Sequence, residues 1–200
     1  MESSAFQAQE NQPLQKKFRL LKIKKLSAIY KKQKRMLLEK TMSLESVKNY
    51  LKKFGADTKI IELEQSSATV ELAAQALHTQ GERIAKTLSF WVDEKPIVIV
   101  CAGNVKIDNA RYRHFFGTKA KMIAFDQVEQ AVGHPVGGVC PFAVNPQVTV
   151  YLDASLKKFE TVFPACGSAN SAIELTIPEL EQFSQFKEWI DVTKNPEQSI

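Results

Sequence analysis

The sequence predicts an α+β fold built on a mixed or mainly antiparallel sheet. Helical and strand patterns are both present, but they do not alternate in regular βαβ units. Two consecutive apolar runs, "RIAKTLSFWV" (83–92) and "PIVIVCA" (96–102), are joined by the short polar "DEKP", which reads as a hairpin. The 200 residues, 44% hydrophobic and 24% charged, suffice for one sizeable core without disulfides or metals.

The first element, "LQKKFRLLKIKKLSAIYKKQKRMLLEK" (14–40), reads as an uncapped helix or a solvated, disordered tail. Leu14, Phe18, Leu21 and Ile29 approximate one apolar stripe, which Ile23 and Leu26 blur. Residues 1–42 hold eleven Lys and Arg against three Glu (+8), leaving sixteen basic and nineteen acidic residues beyond (−3). A basic extension therefore precedes a mildly acidic domain at 43–192, with a short tail at 193–200. Such an arm contacts RNA phosphates or an anionic membrane surface, or is merely solvated. An internal start at Met42 is the other reading of the extension.

From Ser43 the domain opens with a helix. Ser43 is its N-cap, Glu45 suits the first turn, Gly55 stops it, and Val47, Tyr50, Leu51 and Phe54 face inward. "TKIIEL" (58–63) is a short strand. "SSATVELAAQAL" (66–77) is a helix capped near Ser67 or Thr69, with Val70, Ala73, Ala74 and Leu77 inward. After the hairpin, "IDNARYRHFFG" (107–117) is a helix between Asp108 as cap and Gly117 as stop. "KMIAF" is a brief strand, and "DQVEQAVG" (126–133) a helix with a D-x-x-E capping box. "QVTVYLD" is a strand ending on Asp153, followed by one helical turn, "SLKKF". "TVFPACGS" and "AIELTI" form a strand pair, and "PELEQFSQFKEWI" closes the domain as a helix opened by Pro178.

Several chemistries are excluded by what the chain lacks. No Walker loop, GxGxxG, HExxH or GxSxG occurs. No apolar run approaches the ~18 residues of a membrane span, and "MESSAFQAQENQ" is not a secretory signal. Cys101, Cys140 and Cys166 form neither a disulfide framework nor a CxxC pair, so the cytoplasm is the expected compartment. Three cysteines and three histidines so dispersed make no zinc site, and no cofactor is expected.

What remains is a short set of candidates. Lys86 sits in a strand, where it is either a fixed charge for a phosphate or developing oxyanion, or a solvent-facing residue. The loop "GHPVGGVCPFA" carries Gly133, Gly137 and Gly138 between Pro135 and Pro141. Its amides form an anion-binding nest, or it is a tight helix-to-strand connection. Cys140 with His134 is a possible nucleophile and base, against which stands cysteine's habit of acting as a small buried hydrophobe. Asp153 is either a helix cap or a site carboxylate. Gly167 and Ser168, in "ACGS", offer a backbone N–H and a hydroxyl, or only a turn.

Taken in order, "SSATVELAAQAL", "RIAKTLSF", "VIVCAGNVKIDN", "GHPVGGVCPFA", "VYLDASLKKF" and "ACGSANSAIELT" resemble the YbaK/ProX type of aminoacyl-tRNA deacylase, the family that includes the prolyl-tRNA editing domains. The resemblance covers about residues 43–192 and leaves the basic extension outside. It implies a barrel-like central sheet flanked by helices, and a cleft for the 3′ end of a mischarged tRNA. It implies catalytic roles for Lys86, Gly137, Gly138 and Pro141, and substrate-binding roles for His134, Val139, Cys140, Asp153, Gly167 and Ser168. Cys140 and Ala143 stand where many relatives carry Ser or Thr and Gly, which puts a hydroxyl-dependent step in doubt but not a role for the loop's backbone. The activity implied is ester hydrolysis by water, with loop amides stabilising the oxyanion and no metal or cofactor. Acceptor-stem contacts would come from a synthetase partner or from the arm at 14–40. Two other readings stay open: a non-catalytic module that binds an RNA end, and a small-ester hydrolase dependent on Cys140.

Overall fold

The computed structural model describes Lys22 and residues 43–195. The helix predicted at 14–40 lies outside the described residues. Helix α1 (residues 43–51) runs into a 3-10 turn at Lys52–Phe54 and stops at Gly55, which takes the left-handed conformation at φ 67°. Val47 and Leu51 are fully buried, and Tyr50 Oη donates to Phe183 O at 2.7 Å. Strand β1 is Ile61–Glu62. Helix α2 (Val70–Ala76) starts at Thr69, whose hydroxyl accepts from Leu72 N. The predicted hairpin is β2 (Ile84–Val92) and β3 (Lys95–Ala102). Its turn residues, Asp93 and Glu94, both have positive φ (46° and 63°), matching the right-handed strand twist.

Next come β4 (Lys106–Ile107) and α3 (Asn109–Phe116). Asp108 caps α3 by accepting from Ala110 N and Arg111 N, and Gly117 ends it, as read from the sequence. Strand β5 (Lys121–Met122) and helix α4 (Val128–Val132) follow. The capping box predicted for α4 is absent: the helix begins two residues later, and the side chain of the residue before it, Gln127, makes no capping bond. Strand β6 (Thr149–Asp153) leads into a 3-10 turn at Ala154–Lys158. The chain then forms β7 (Thr161–Pro164), β8 (Ser171–Ala172) and β9 (Leu175–Thr176).

Helix α5 (Ile177–Ser184) is shorter than predicted. Gln185 turns left-handed at φ 47°, and "EWI" becomes β10 (Glu188–Ile190), parallel to β6. Lys187 N donates to Val150 O at 2.8 Å, so pairing with β6 overrides the helical pattern of the sequence. A capping box unseen in the sequence starts α5: Thr176 Oγ1 accepts from Glu179 N while Glu179 Oε2 accepts from Thr176 N. Strand β11 (Thr193–Lys194) pairs with β4, within the predicted tail.

The central sheet runs β10-β6-β3-β2-β7-β9, with β5 also against β2. It is mixed: β2/β3, β2/β5 and β7/β9 are antiparallel, while β3/β6, β6/β10 and β2/β7 are parallel. It curls as a half-barrel between helices. Strand β3 is buried on both faces. Val98 and Val100 enter the main core with Leu152 and Leu180, and Ile97 and Ile99 pack with Phe90, Tyr112 and Tyr151 opposite. That double burial explains its unbroken apolar run. No helix among the described residues is long and apolar enough to cross a membrane.

Thr176→Ala removes the hydroxyl half of the α5 capping box. Denaturant unfolding should show a loss of about 1 kcal/mol with the slope unchanged; an unchanged midpoint would mean that the cap contributes nothing.

Candidate active site

The outer edge of β2 is covered at its two ends only. β7 pairs with Ile84 and Ala85, and β5 with Phe90 and Trp91. Among the described residues no strand faces residues 86–89 there; Ser89 O accepts from Ile123 N at 3.1 Å. A cavity of about 520 Å³ opens along this gap. Residues 84–89 form one wall, and the start of α2, Met122, Phe125 and Phe163 form others. Gly137 and Val139 of the glycine-proline loop close it. Its size and largely apolar walls suit a small-molecule group. Among the described residues lining it, Lys86 is the one titratable side chain: no Asp, Glu, His or Cys faces it.

Lys86 Nζ donates to Gly103 O at 2.8 Å and to Val105 O. Gly103 must be glycine, because a Cβ would fall 2.0 Å from Gly81 O. Among the described residues no carboxylate forms an ion pair with Lys86, and burial lowers its pKa below the ordinary lysine value. Carbonyl dipoles thus hold a partly desolvated ammonium, and two carbonyls leave one of its three N–H donors unengaged.

The loop is shaped by two close approaches. Gly137 has φ 88°, in the region that favours glycine, and a Cβ on Gly138 would lie 2.6 Å from Ser168 N. Gly138 N donates to Pro135 O at 3.0 Å. The amides of Gly137, Val139 and Cys140 have no acceptor among the described residues. A rigid turn with unengaged N–H groups is the raw material of an oxyanion or phosphate cradle.

His134 and Cys140 hold this loop from behind. His134 is fully buried: Nε2 donates to Phe142 O at 2.7 Å, so Nδ1 accepts from Ser43 Oγ, also at 2.7 Å. Burial lowers its pKa, keeping the ring neutral. Cys140 is likewise buried, with Sγ 3.6 Å from His134 Nε2 and donating to Phe142 O at 3.7 Å. Burial pushes its thiol up to about 12. The nucleophile-and-base reading fails here, because the imidazole's basic nitrogen faces Ser43 and the thiol stays protonated behind the cavity wall.

The remaining predicted residues fall outside the cavity lining. Asp153 is fully buried; its carboxylate accepts from Ser155 N, Val192 N and Thr193 Oγ1 at 2.7–3.0 Å, so its oxygens hold separate segments together. Gly167 packs on Ser43, where a Cβ would meet Ser43 O at 2.7 Å. Ser168 Oγ lies 2.7 Å from Ser171 Oγ and donates to Asn170 Oδ1 at 3.1 Å, and Pro141 borders a separate hollow beside Tyr50. The cavity thus gathers Lys86, Gly137 and Val139; Gly138, His134 and Cys140 support it from outside. Thr87, Met122 and Phe125 line it without having been singled out in the sequence. Phe125 and Met122, 78% and 60% exposed, leave no signal in a pattern that reads apolar residues as buried.

A family model described as "Aminoacyl-tRNA editing domain" matches residues 64–183. The uncharacterized protein YwhH of Bacillus subtilis (strain 168) is 51% identical over 155 residues, 77% of this chain and 99% of its own length. A proline–tRNA ligase of Streptococcus gordonii is 26% identical over 117 residues, which are 58% of this chain and 18% of the ligase. The crystal structure of a candidate trans-editing enzyme for prolyl tRNA synthetase superposes with a TM-score of 0.69 at 25% identity, covering 76% of this chain and 97% of that one.

Two outcomes follow from the burial behind the loop. A disulfide reagent should find no fast thiol in the folded protein and three after unfolding, since Cys101, Cys140 and Cys166 are all buried; a rapid reaction at Cys140 would restore the thiol mechanism. Because His134 titrates lower when folded, both states are neutral well above pH 6.5, the ordinary histidine value, and its contribution is complete there. As pH falls further, only the unfolded chain takes up the proton readily, and stability is lost. His134→Gln should be less stable at pH 7, and the gap should narrow toward pH 5 in denaturant titrations; a constant gap would show that the ring does not titrate.

Proposed function

The chain belongs to the aminoacyl-tRNA editing domain family, and on that premise we propose that it hydrolyses the ester of a mischarged aminoacyl-tRNA. One observation carries the reading: Lys86, Gly137 and Val139 line one cavity, the last two with amides that have no acceptor, and among the described residues no other titratable group lines it. The aminoacyl ester is already an activated carbonyl. Its hydrolysis needs a positioned water and donors for the oxyanion more than a strong protein nucleophile.

In this reading the 3′-terminal ribose and its esterified amino acid enter the cavity. Water oxygen attacks the ester carbon, and the carbonyl oxygen becomes an oxyanion facing the loop amides. The carbon–oxygen bond to the ribose then breaks. The ribose oxygen keeps a proton derived from the water, and the free amino acid departs. Lys86 holds negative charge, either on the terminal phosphate or on the reacting carbonyl. Its partial desolvation strengthens that attraction. The apolar walls at Val70, Ile84, Leu88 and Phe163 favour an uncharged amino-acid side chain. Cys140 and His134 shape the loop and take no part in bond making. RNA contact through the arm at 14–40, and delivery by a synthetase, belong to the same proposal; the arm's charge of +8 across residues 1–42 is what supports the first.

A deacylation panel of several misacylated tRNAs tests the reading. At least one should be cleared, and Lys86→Ala should slow it by about 10²-fold or more, the usual scale for losing one electrostatic contact to the transition state. Cys140→Ser should keep most of the rate. No turnover with any tRNA, despite saturable binding, would make the domain an RNA-end binding module instead.

A further inference from the structure

The deacylation scheme leaves the rim of the cavity without a role. Phe125 and Met122 line that cavity, and they are the two most exposed large apolar side chains among the described residues. Val136, on the glycine-proline loop, lines it too and is likewise exposed. Single exposed apolar residues are ordinary, but a group of them around one opening marks a binding surface. Phe125 stands in a closed turn, in which Gln127 N donates to Ala124 O at 2.8 Å. The turn is anchored on both sides: Ile123 and Val128 are buried in the main core, and Ile123 N donates to Ser89 O. Rigid flanks therefore present a ring whose own surface is uncovered, and no other aromatic ring packs on it among the described residues.

The charge around this rim selects what fits it. Between Asn109 and Phe125 the chain holds Arg111, Arg113, Lys119 and Lys121 and no carboxylate. Arg111 pairs with Asp191, but Arg113, Lys119 and Lys121 are exposed and form no ion pair among the described residues. Lys121 directly precedes Met122, and Asp126 is the one carboxylate of the turn. An uncovered aromatic ring close in the chain to unpaired cations suits the end of a single-stranded nucleic acid, whose phosphates meet the cations and whose bases stack.

Resting on the deacylase reading, we propose that the terminal adenine of the tRNA stacks on the Phe125 ring at the mouth of the cavity. The base and the esterified amino acid hang from the same ribose. With the ester inside, facing Gly137 and Val139, the base stays at the rim, where Phe125 offers a flat face and Met122 a polarizable thioether. Stacking reads no hydrogen-bonding edge, so the contact is independent of which amino acid is attached. It draws binding energy from a part of the substrate that does not react, and so places the ester before bond making begins.

Uncharged tRNA with 2-aminopurine as its terminal base reports the contact directly, because that base loses fluorescence when it stacks. Saturating full-length protein should quench it. Phe125→Tyr should quench it too, whereas Phe125→Ala and Phe125→Leu should not, the leucine keeping apolar bulk without a ring. On a misacylated tRNA from the panel, Phe125→Ala should lose about tenfold in kcat/KM, the scale of one base stack. Its thermal unfolding should be unchanged, because the ring it removes is exposed. Quenching that is absent from the unaltered protein, or that persists in both the Ala and Leu variants, would overturn the inference. So would an unchanged kcat/KM in Phe125→Ala, which would make the rim a contact for another protein. Quenching that depends on Phe125, with no turnover of any misacylated tRNA, would instead overturn the deacylase reading and leave the stacking contact standing.

Discussion

Strand β2 has eight consecutive partners along one edge and an interrupted set along the other. The cleft depends on that asymmetry. The continuous edge against β3, itself buried on both faces, fixes the backbone of residues 85–92 in the middle of the sheet. The interrupted edge leaves part of the same rigid strand uncovered. β7 stops pairing at Pro164, a residue with no N–H to extend the ladder, and β5 is two residues long. Groups that would be satisfied by a neighbouring strand instead border a hollow. Rigid elements position functional groups more sharply than loops do, and Lys86 is placed by such an element.

The opposite wall is a loop, yet it is stiffened from outside. His134 is clamped between the Ser43 hydroxyl and the Phe142 carbonyl, and Gly138 rests against the turn carrying Ser168. Helix α1, whose described residues contribute nothing to the cavity lining, therefore supports the loop through Ser43. In the proposed reaction, amides fixed in this way would need no reorientation as charge develops in front of them. The same dry surroundings act on both sides of the cavity. They keep Cys140 protonated and lower the lysine's pKa, and they raise the strength of any attraction between that lysine and an anion.

Local chemistry was legible in the sequence wherever a short signal was decisive. The β2–β3 hairpin, the Asp108 cap, and the Gly55 and Gly117 stops stand where their residue types place them. What the sequence hid was long-range. "FKEWI" has a helix-compatible pattern, and pairing with β6, some 35 residues earlier, makes its end a strand. Asp126 and Glu129 have capping-box spacing, but the helix begins at Val128 and leaves the aspartate outside. His134 and Cys140 suggested a reactive pair by proximity in sequence, and only burial and the Ser43 contact show otherwise. Alternation gave Thr87 a face of the strand, but not the gap between β7 and β5 along the edge of β2.

The parallel pairing of β10 with β6 also bears on synthesis. A ribosome delivers β6 well before residues 188–190 emerge. During that interval the apolar "TVYLD" segment has β3 on one side and an open row of amides and carbonyls on the other. Exposed strand edges are templates for wrong partners. A nascent polypeptide arrested after α5 would leave this border open, and the few residues that follow the helix are the ones that cover it.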